Sequence, residues 1–465
     1  MPSDFASIIQ PMNQAAFDAY LLEHRERLLE DYKTFLRQPS VAATGQGIAE
    51  MAALVARRMT SIGADVKVVP TADNGAPVVW AELGDPNAER TLLIYNHYDV
   101  QPAEPLELWE SPPFEPTVRD GHLYARGASD DKGELCTRIH AIEAWLATQG
   151  ALPFKIKWLI EGEEEIGSVH LHTWIDQHKD WFKNIDGCLW EFGGFDEKNR
   201  FCLWMGVKGI CYVQLRVKGV DHDLHSSYAP LAQNAAWRLT WALSTLKDQH
   251  ERILIDGYYD HVQPPNDAQM AMLARIPFEE DEIKAKWKVP TFLGEVTGLE
   301  ALKRYYFDPT CTICGLTSGW QGKGTKTVLP AEASAKIDFR LVPNLSAEIV
   351  VDLLRKHFDK HGFTDVEIVS YDGYKPEMTD VTAPIVKAAA QAAQKIYGQE
   401  PVLFPTAAGS GPMWSLSSFI GGVPVICAGI SHPDSRIHSP NENSILQNYY
   451  DGMRYIGAFI SEFAK

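Results

Sequence analysis

Residues 155–168, KIKWLIEGEEEIGS, run an apolar, β-prone stretch directly into four glutamates: Glu161, Glu163, Glu164 and Glu165. The apolar part reads as a strand buried in a core. Carboxylates crowded where such a strand stops repel one another and resist burial. A fold that accepts both features has to bring something positive to that strand end.

The same arrangement recurs along the chain. TLLIY precedes Asn96-His97-Tyr98-Asp99, CLW precedes Glu191, and VPVICAGI precedes SHPDSRIHSPNENS, with His432 and His438. Amphipathic stretches lie between these strands: GIAEMAALVARRMTSIG, Leu135 to Leu146, APIVKAAAQAAQKIYG and SILQNYYDGMRYIGAFISEF. Short apolar strands alternating with helices predict an α/β domain whose mostly parallel central sheet has helices on both faces.

From about Met205 the pattern changes. GICYVQLRVKG and ASAKIDFRLVP alternate like half-exposed strands, beside helical LAQNAAWRLTWALSTL and SAEIVVDLLRKHF. The prediction is an inserted α+β domain over residues 206–384, within a discontinuous α/β domain of residues 1–205 and 385–465. A chain of 465 residues also exceeds one ordinary core. The polar, irregular stretch 256–309 reads as a long loop or interface region.

A formal net charge of −18 argues against nucleic acid and anionic membrane as partners, since both need clustered Lys and Arg. No apolar run approaches the roughly 18 residues of a membrane span. The start, MPSDFASIIQPMNQ, has neither a basic region nor a continuous apolar one, so a cytoplasmic setting is expected. The odd count of seven cysteines does not suggest a disulfide framework, and Cys311 and Cys314 read as two packed thiols.

His97 and Asp99, two apart in an extended segment, point to one side. That suits a metal-ligating imidazole whose other nitrogen meets a carboxylate, although the pair alone reads as a turn with a satisfied histidine. In ARGASDDKGE one aspartate would be explained as a helix cap, but adjacent Asp130 and Asp131 in a Gly-flanked turn fit a cation better. Glu191 is out of place at an apolar strand end unless paired. Together these histidines and carboxylates lie beyond strand ends, where open α/β sheets bind ligands. They match the donor set of a two-metal hydrolytic site; zinc is favoured, with manganese or cobalt as alternatives, and no thiolate site is supported.

In order along the chain, NHYDVQP, RGASDDKGE, IEGEEEIGS, DLHSS, GTKTVLPAEASAKIDFRLVPN and IHSPNEN resemble the motifs of the M20 metallopeptidase family. The likeness is to its carnosinase and cytosolic nonspecific dipeptidase branch and runs over most of the chain. It implies a di-zinc peptidase fold in which His97, Asp130 and Glu191 bind one metal. Asp130 then bridges to a second, held also by Glu165 and His438. Asp99 orients His97, and Glu164 is the general base that deprotonates the attacking water and passes the proton to the leaving amine. The Asp130–Asp131 peptide is expected to be cis.

By the same likeness the inserted domain is a lid through which the chain forms a homodimer. His225 then reaches into the partner's site to stabilise the oxyanion, while Thr327, Arg340, Gly409 and Ser410 contact the substrate. Where the branch commonly shows Arg-Glu-Gly-Gly-Ser, this chain has Thr406-Ala-Ala-Gly-Ser410-Gly. A carboxylate suited to a free substrate amine is missing there. The implied activity is a small-peptide hydrolase, most simply a dipeptidase; the alternative is a hydrolase of N-acyl or N-carbamoyl amino acids.

Overall fold

The computed structural model describes residues 12–371, 373–407 and 409–465. Residues 1–11, which contain most of the start read above, lie outside that range, as do Asp372 and Ala408. The chain forms two compact units. One comprises Met1–Gly206, Thr379–Pro405 and Ser415–Lys465, and the other Val207–Met378 and Thr406–Trp414.

The first unit is mixed α/β and built on a nine-stranded sheet. Its strand order is Asp65–Val69, Val78–Leu83, Lys155–Glu161, Thr91–His97, Gly187–Trp190, Val425–Cys427, Phe201–Trp204 and Val402–Phe404; Gly194–Phe195 pairs with Phe201–Trp204. The four strands from Lys155–Glu161 to Val425–Cys427 run parallel, and the two at the Asp65–Val69 edge are antiparallel. Thr91–His97 is buried throughout, its apolar run Leu92–Tyr95 and the polar Asn96 and His97 alike. Parallel strands finish on one side of a sheet, so the register that sets His97 beside Glu161 gathers the strand-end polar residues at one rim.

Helix Lys132–Gln149 starts immediately after Asp131, and its first turns are buried on every side, Glu134, Arg138 and His140 included. It packs on the equally buried helix Leu446–Phe463. Charged groups inside a helix this enclosed need fixed partners.

The second unit holds an antiparallel sheet in the order Thr312–Ser318, Glu332–Leu341, Gly209–Lys218, Glu367–Ser370. Gly209–Lys218 alternates buried and outward positions, as its pattern predicts. Val213, Leu215, Ile337 and Phe339 form a core with Leu239 of helix Ala235–Leu243 and Leu354 of helix Ala347–Lys360.

Residues 256–309 are not the loop expected from their polarity. They contain helices Asp267–Leu273, Glu280–Trp287 and Gly298–Phe307. Local polar bonds fix the ends of these short helices: Asn266 and Gln269 form a capping box, and Glu280 accepts the Gly298 amide. The reading of two packed thiols holds only for Cys311. Cys314 is exposed, because the strand that carries it lies at the sheet edge. Among the described residues no helix is long and apolar enough to cross a membrane.

Candidate metal centre

Asp130 stands at the centre of the rim. One oxygen, Oδ1, lies 3.0 Å from His97 Nε2, and the other, Oδ2, lies 3.0 Å from His438 Nε2. Glu165 Oε2 is also 3.0 Å from His438 Nε2, and Glu191 Oε2 is 3.6 Å from His97 Nε2. The Asp130–Asp131 peptide is cis. Two groups of donor atoms, each within 4.8 Å of one another, result: Asp130, Glu165 and His438, and His97, Asp131 and Glu191. Asp131, read from the sequence with Asp130 as a cation-binding pair but given no ligand role by the resemblance, joins the second group. Its Oδ2 accepts from Asn96 Nδ2 at 2.7 Å and from the His97 amide at 3.0 Å.

Asp99 is fully buried, with Oδ1 3.3 Å from His97 Nδ1. It also accepts the Glu164 amide at 3.3 Å and the Glu165 amide at 3.0 Å. One carboxylate thereby links the orientation of the imidazole to the turn that carries Glu164 and Glu165. Gln101 holds Glu165 from the far side, with Nε2 3.0 Å from Oε2.

The other two glutamates of the run have structural partners. Glu161 accepts from the Tyr95 hydroxyl at 2.6 Å and from Ser168 Oγ at 3.0 Å. Glu163 accepts the Ala76 amide at 2.8 Å and lies 2.8 Å from His170 Nδ1, which closes the loop after the strand.

The electrostatics call for cations. Burial, reinforced by Asp130, Glu165 and Asp99, pushes Glu164 up to about 8 against the pull of His97. Burial likewise raises Asp131 to about 6 and Glu191 well above the carboxylate range. His438 is held up to about 10 by its bonds to Asp130 and Glu165. Asp131 Oδ1 and Glu191 Oε2 are buried with no hydrogen-bond partner. Both belong to the His97 group, and orphaned anionic oxygens beside an imidazole fit a divalent ion. The donor set therefore accommodates two such ions.

A frame that sequence reasoning missed lies beneath the rim. Arg138 donates to the carbonyls of Tyr95 (2.8 Å), inside strand Thr91–His97, of Trp190 (2.5 Å), at the end of Gly187–Trp190, and of Ala428 (3.1 Å), just beyond Val425–Cys427, and to Asn96 Oδ1 at 3.1 Å. Glu134 Oε2 lies 3.4 Å from Arg138 and accepts the Phe192 amide at 2.8 Å. Two charges in the apolar run of helix Lys132–Gln149 were the available signal. Glu442, inside the quoted IHSPNEN motif, holds the turn before Asp130. His432 belongs to neither donor group; its Nε2 is 3.0 Å from Asn443 Oδ1.

In the second unit, strand pairing of Leu224–His225 with Val328–Leu329 brings His225 Nε2 to 3.4 Å from Thr327 Oγ1. Arg340 Nη1 donates to Ser410 Oγ at 3.0 Å, and the Gly409 carbonyl accepts the Lys208 amide at 3.1 Å. The expected substrate contacts thus form two pairs: His225 with Thr327, and Arg340 with the 409–410 turn.

Residues 93–462 match the model of peptidase family M20/M25/M40. Among curated relatives, the human Beta-Ala-His dipeptidase is 30% identical over 84% of this chain and 78% of its own length. The Cys-Gly metallodipeptidase of Candida albicans is 29% identical over 84% of this chain and 82% of its own. The crystal structure of an M20 family metallo-carboxypeptidase from Sulfolobus solfataricus superposes with a TM-score of 0.86 at 38% identity, covering 94% of this chain and 99% of that one.

Proposed function

The chain belongs to peptidase family M20/M25/M40, and on that premise we propose that it is a dinuclear metal-dependent dipeptidase. The observation that carries the reading is the division of Asp130 between two histidines, each with at least one further carboxylate in reach. His97 and Glu191, with Asp130, would hold one ion, with Asp131 offering a further oxygen on that side; Asp130, Glu165 and His438 would hold the other. Zinc suits mixed imidazole and carboxylate donors best, with manganese or cobalt as alternatives. When bound, the ions supply Lewis acidity toward the scissile carbonyl and make water acidic enough to attack it.

Glu164 takes the proton of the attacking water and delivers it to the leaving amine. Asp99 keeps His97 and the Glu164 turn in register for that transfer. Arg340 presents a fork of donors to a terminal carboxylate, steadied by Ser410, with Thr327 and Gly409 completing substrate contact. His225 of a second copy stabilises negative charge on the carbonyl oxygen.

A homodimer through the inserted unit is part of this reading. Its support is the edge strand Thr312–Ser318, where Ile313 and Leu316 are 48% and 59% exposed. An apolar sheet edge, with no strand beside it among the described residues, is a template for another chain. The seven free thiols suit a cytoplasmic, reducing setting.

The test is a substrate panel on metal-stripped and metal-reconstituted protein. Free dipeptides are expected to be cleaved only after zinc, manganese or cobalt is restored. Turnover confined to N-acetyl or N-carbamoyl amino acids would replace the dipeptidase reading. Undiminished activity of the stripped protein would remove the metal mechanism altogether.

A further inference from the structure

Glu442 is fully buried and makes four hydrogen bonds to one turn. Its Oε1 accepts the amides of Ser129 at 2.9 Å and Asp130 at 3.0 Å. Its Oε2 accepts the Gly127 amide at 2.8 Å and Arg126 Nη1 at 2.8 Å. Glu442 also returns its own carbonyl to the Ala125 amide at 3.1 Å. The turn is shaped for this grip. Gly127 has φ 85°, and a Cβ there would come within 2.9 Å of Val100 Cγ1, so the chain passes close with its amide toward Glu442.

We propose that Glu442 is a positioning residue for the metal centre, fixing the backbone of Asp130 against the loop that carries His438. The inference rests on the metal centre proposed above. Asp130 is the residue divided between the two donor groups, and His438 lies four positions before Glu442 on the same loop. A carboxylate that binds the Asp130 amide therefore sets how the two metal-bearing segments face each other. Ligand sets work only within about 0.5 Å of their productive geometry. Four converging donors need an acceptor with lone pairs on both oxygens. Glutamine keeps the shape, but its NH2 would face either the two amides or Gly127 and Arg126, donor against donor. Arg126 is anchored independently, donating to the Pro102 carbonyl at 3.0 Å and lying over Trp109. Its position therefore does not depend on Glu442 alone.

The test uses the full-length chain. Zn2+ affinity and stoichiometry are measured by competition with a chromophoric chelator in wild type, Glu442→Gln, Glu442→Asp and Asp31→Asn. Asp31 belongs to a half-buried network with Arg58 and His140 that includes none of the donors, so its variant controls for loss of stability. Melting of the metal-stripped proteins supplies the second readout. Glu442→Gln is expected to bind Zn2+ about 10–100-fold more weakly, the range for partners of metal ligands, while Asp31→Asn binds as wild type at a comparable fall in Tm. Glu442→Asp, one methylene short, is expected to fall on the same side and serves if the glutamine variant does not fold. Wild-type affinity in either folded Glu442 variant, or equal weakening in Asp31→Asn, overturns the proposal. Wild type that binds no Zn2+ overturns the metal centre instead.

Discussion

Glu164 and Glu165 adjoin in the chain and have opposite surroundings. Glu165 is tied down by Gln101 and His438, whereas burial first, and then neighbouring carboxylates, raise the proton affinity of Glu164. A group with that tendency suits proton transfer more than ligation. Glu164→Gln should retain both metals by elemental analysis and lose about 10²–10⁴ in kcat. Asp31, remote from the rim, offers a pH-dependent test. Burial opposes its charge, but the His140 bond and the Arg58 charge hold it down to about 2 from the ordinary 3.8. Its stabilising effect is complete above the unfolded value and is lost as pH falls through the folded one. The Tm deficit of Asp31→Asn should therefore be full at pH 7 and shrink between about pH 4 and 2. At this scale His97, Glu165 and Glu191 stood out as polar residues at the ends of apolar strands; Asp130 stood out in a Gly-flanked turn and His438 in a polar loop, and their division into two ligand sets came from the family resemblance alone. The roles of Glu161 and Glu163 were not legible, since nothing in the run marks which carboxylates find Tyr95, Ser168 or His170.

Helix Lys132–Gln149 shows what an element contributes beyond its own residues. Through Arg138 its interior binds carbonyls at or next to three neighbouring central strands, two of which lead to His97 and Glu191. Arg138→Leu removes the cation beside the buried Glu134 carboxylate and one donor from each of three carbonyls, and should cost about 3–5 kcal/mol in denaturant unfolding of the metal-stripped protein. Adding Glu134→Leu should recover part of that loss. The parallel strands and the long helices were readable from periodicity, which tertiary packing reinforces. Helices Asp267–Leu273, Glu280–Trp287 and Gly298–Phe307 were not. Elements of two or three turns show too little periodicity, and their stability comes from caps and local bonds.

For the whole molecule, ions bound only by the folded state stabilise it by mass action. Stripping the protein should lower Tm, and each site refilled at about a thousand times its Kd should return roughly 4 kcal/mol. Assembly is tested separately: Leu316→Asp, a charge on the exposed edge strand, should give a monomer in analytical ultracentrifugation. If His225 acts across the dimer, that monomer loses turnover while keeping its metals; a fully active monomer would refute the role. The sequence by itself determined the class of sheet, the strand ends that carry chemistry and the donor types found there, because burial forces apolar runs and makes every charge at their ends conspicuous. Only the tertiary structure decided which donors meet, that Asp131 joins His97 and Glu191, and that Glu442 grips a turn 313 positions away from it at Ser129. Such pairings depend on where distant segments pack, which spacing along the chain does not encode.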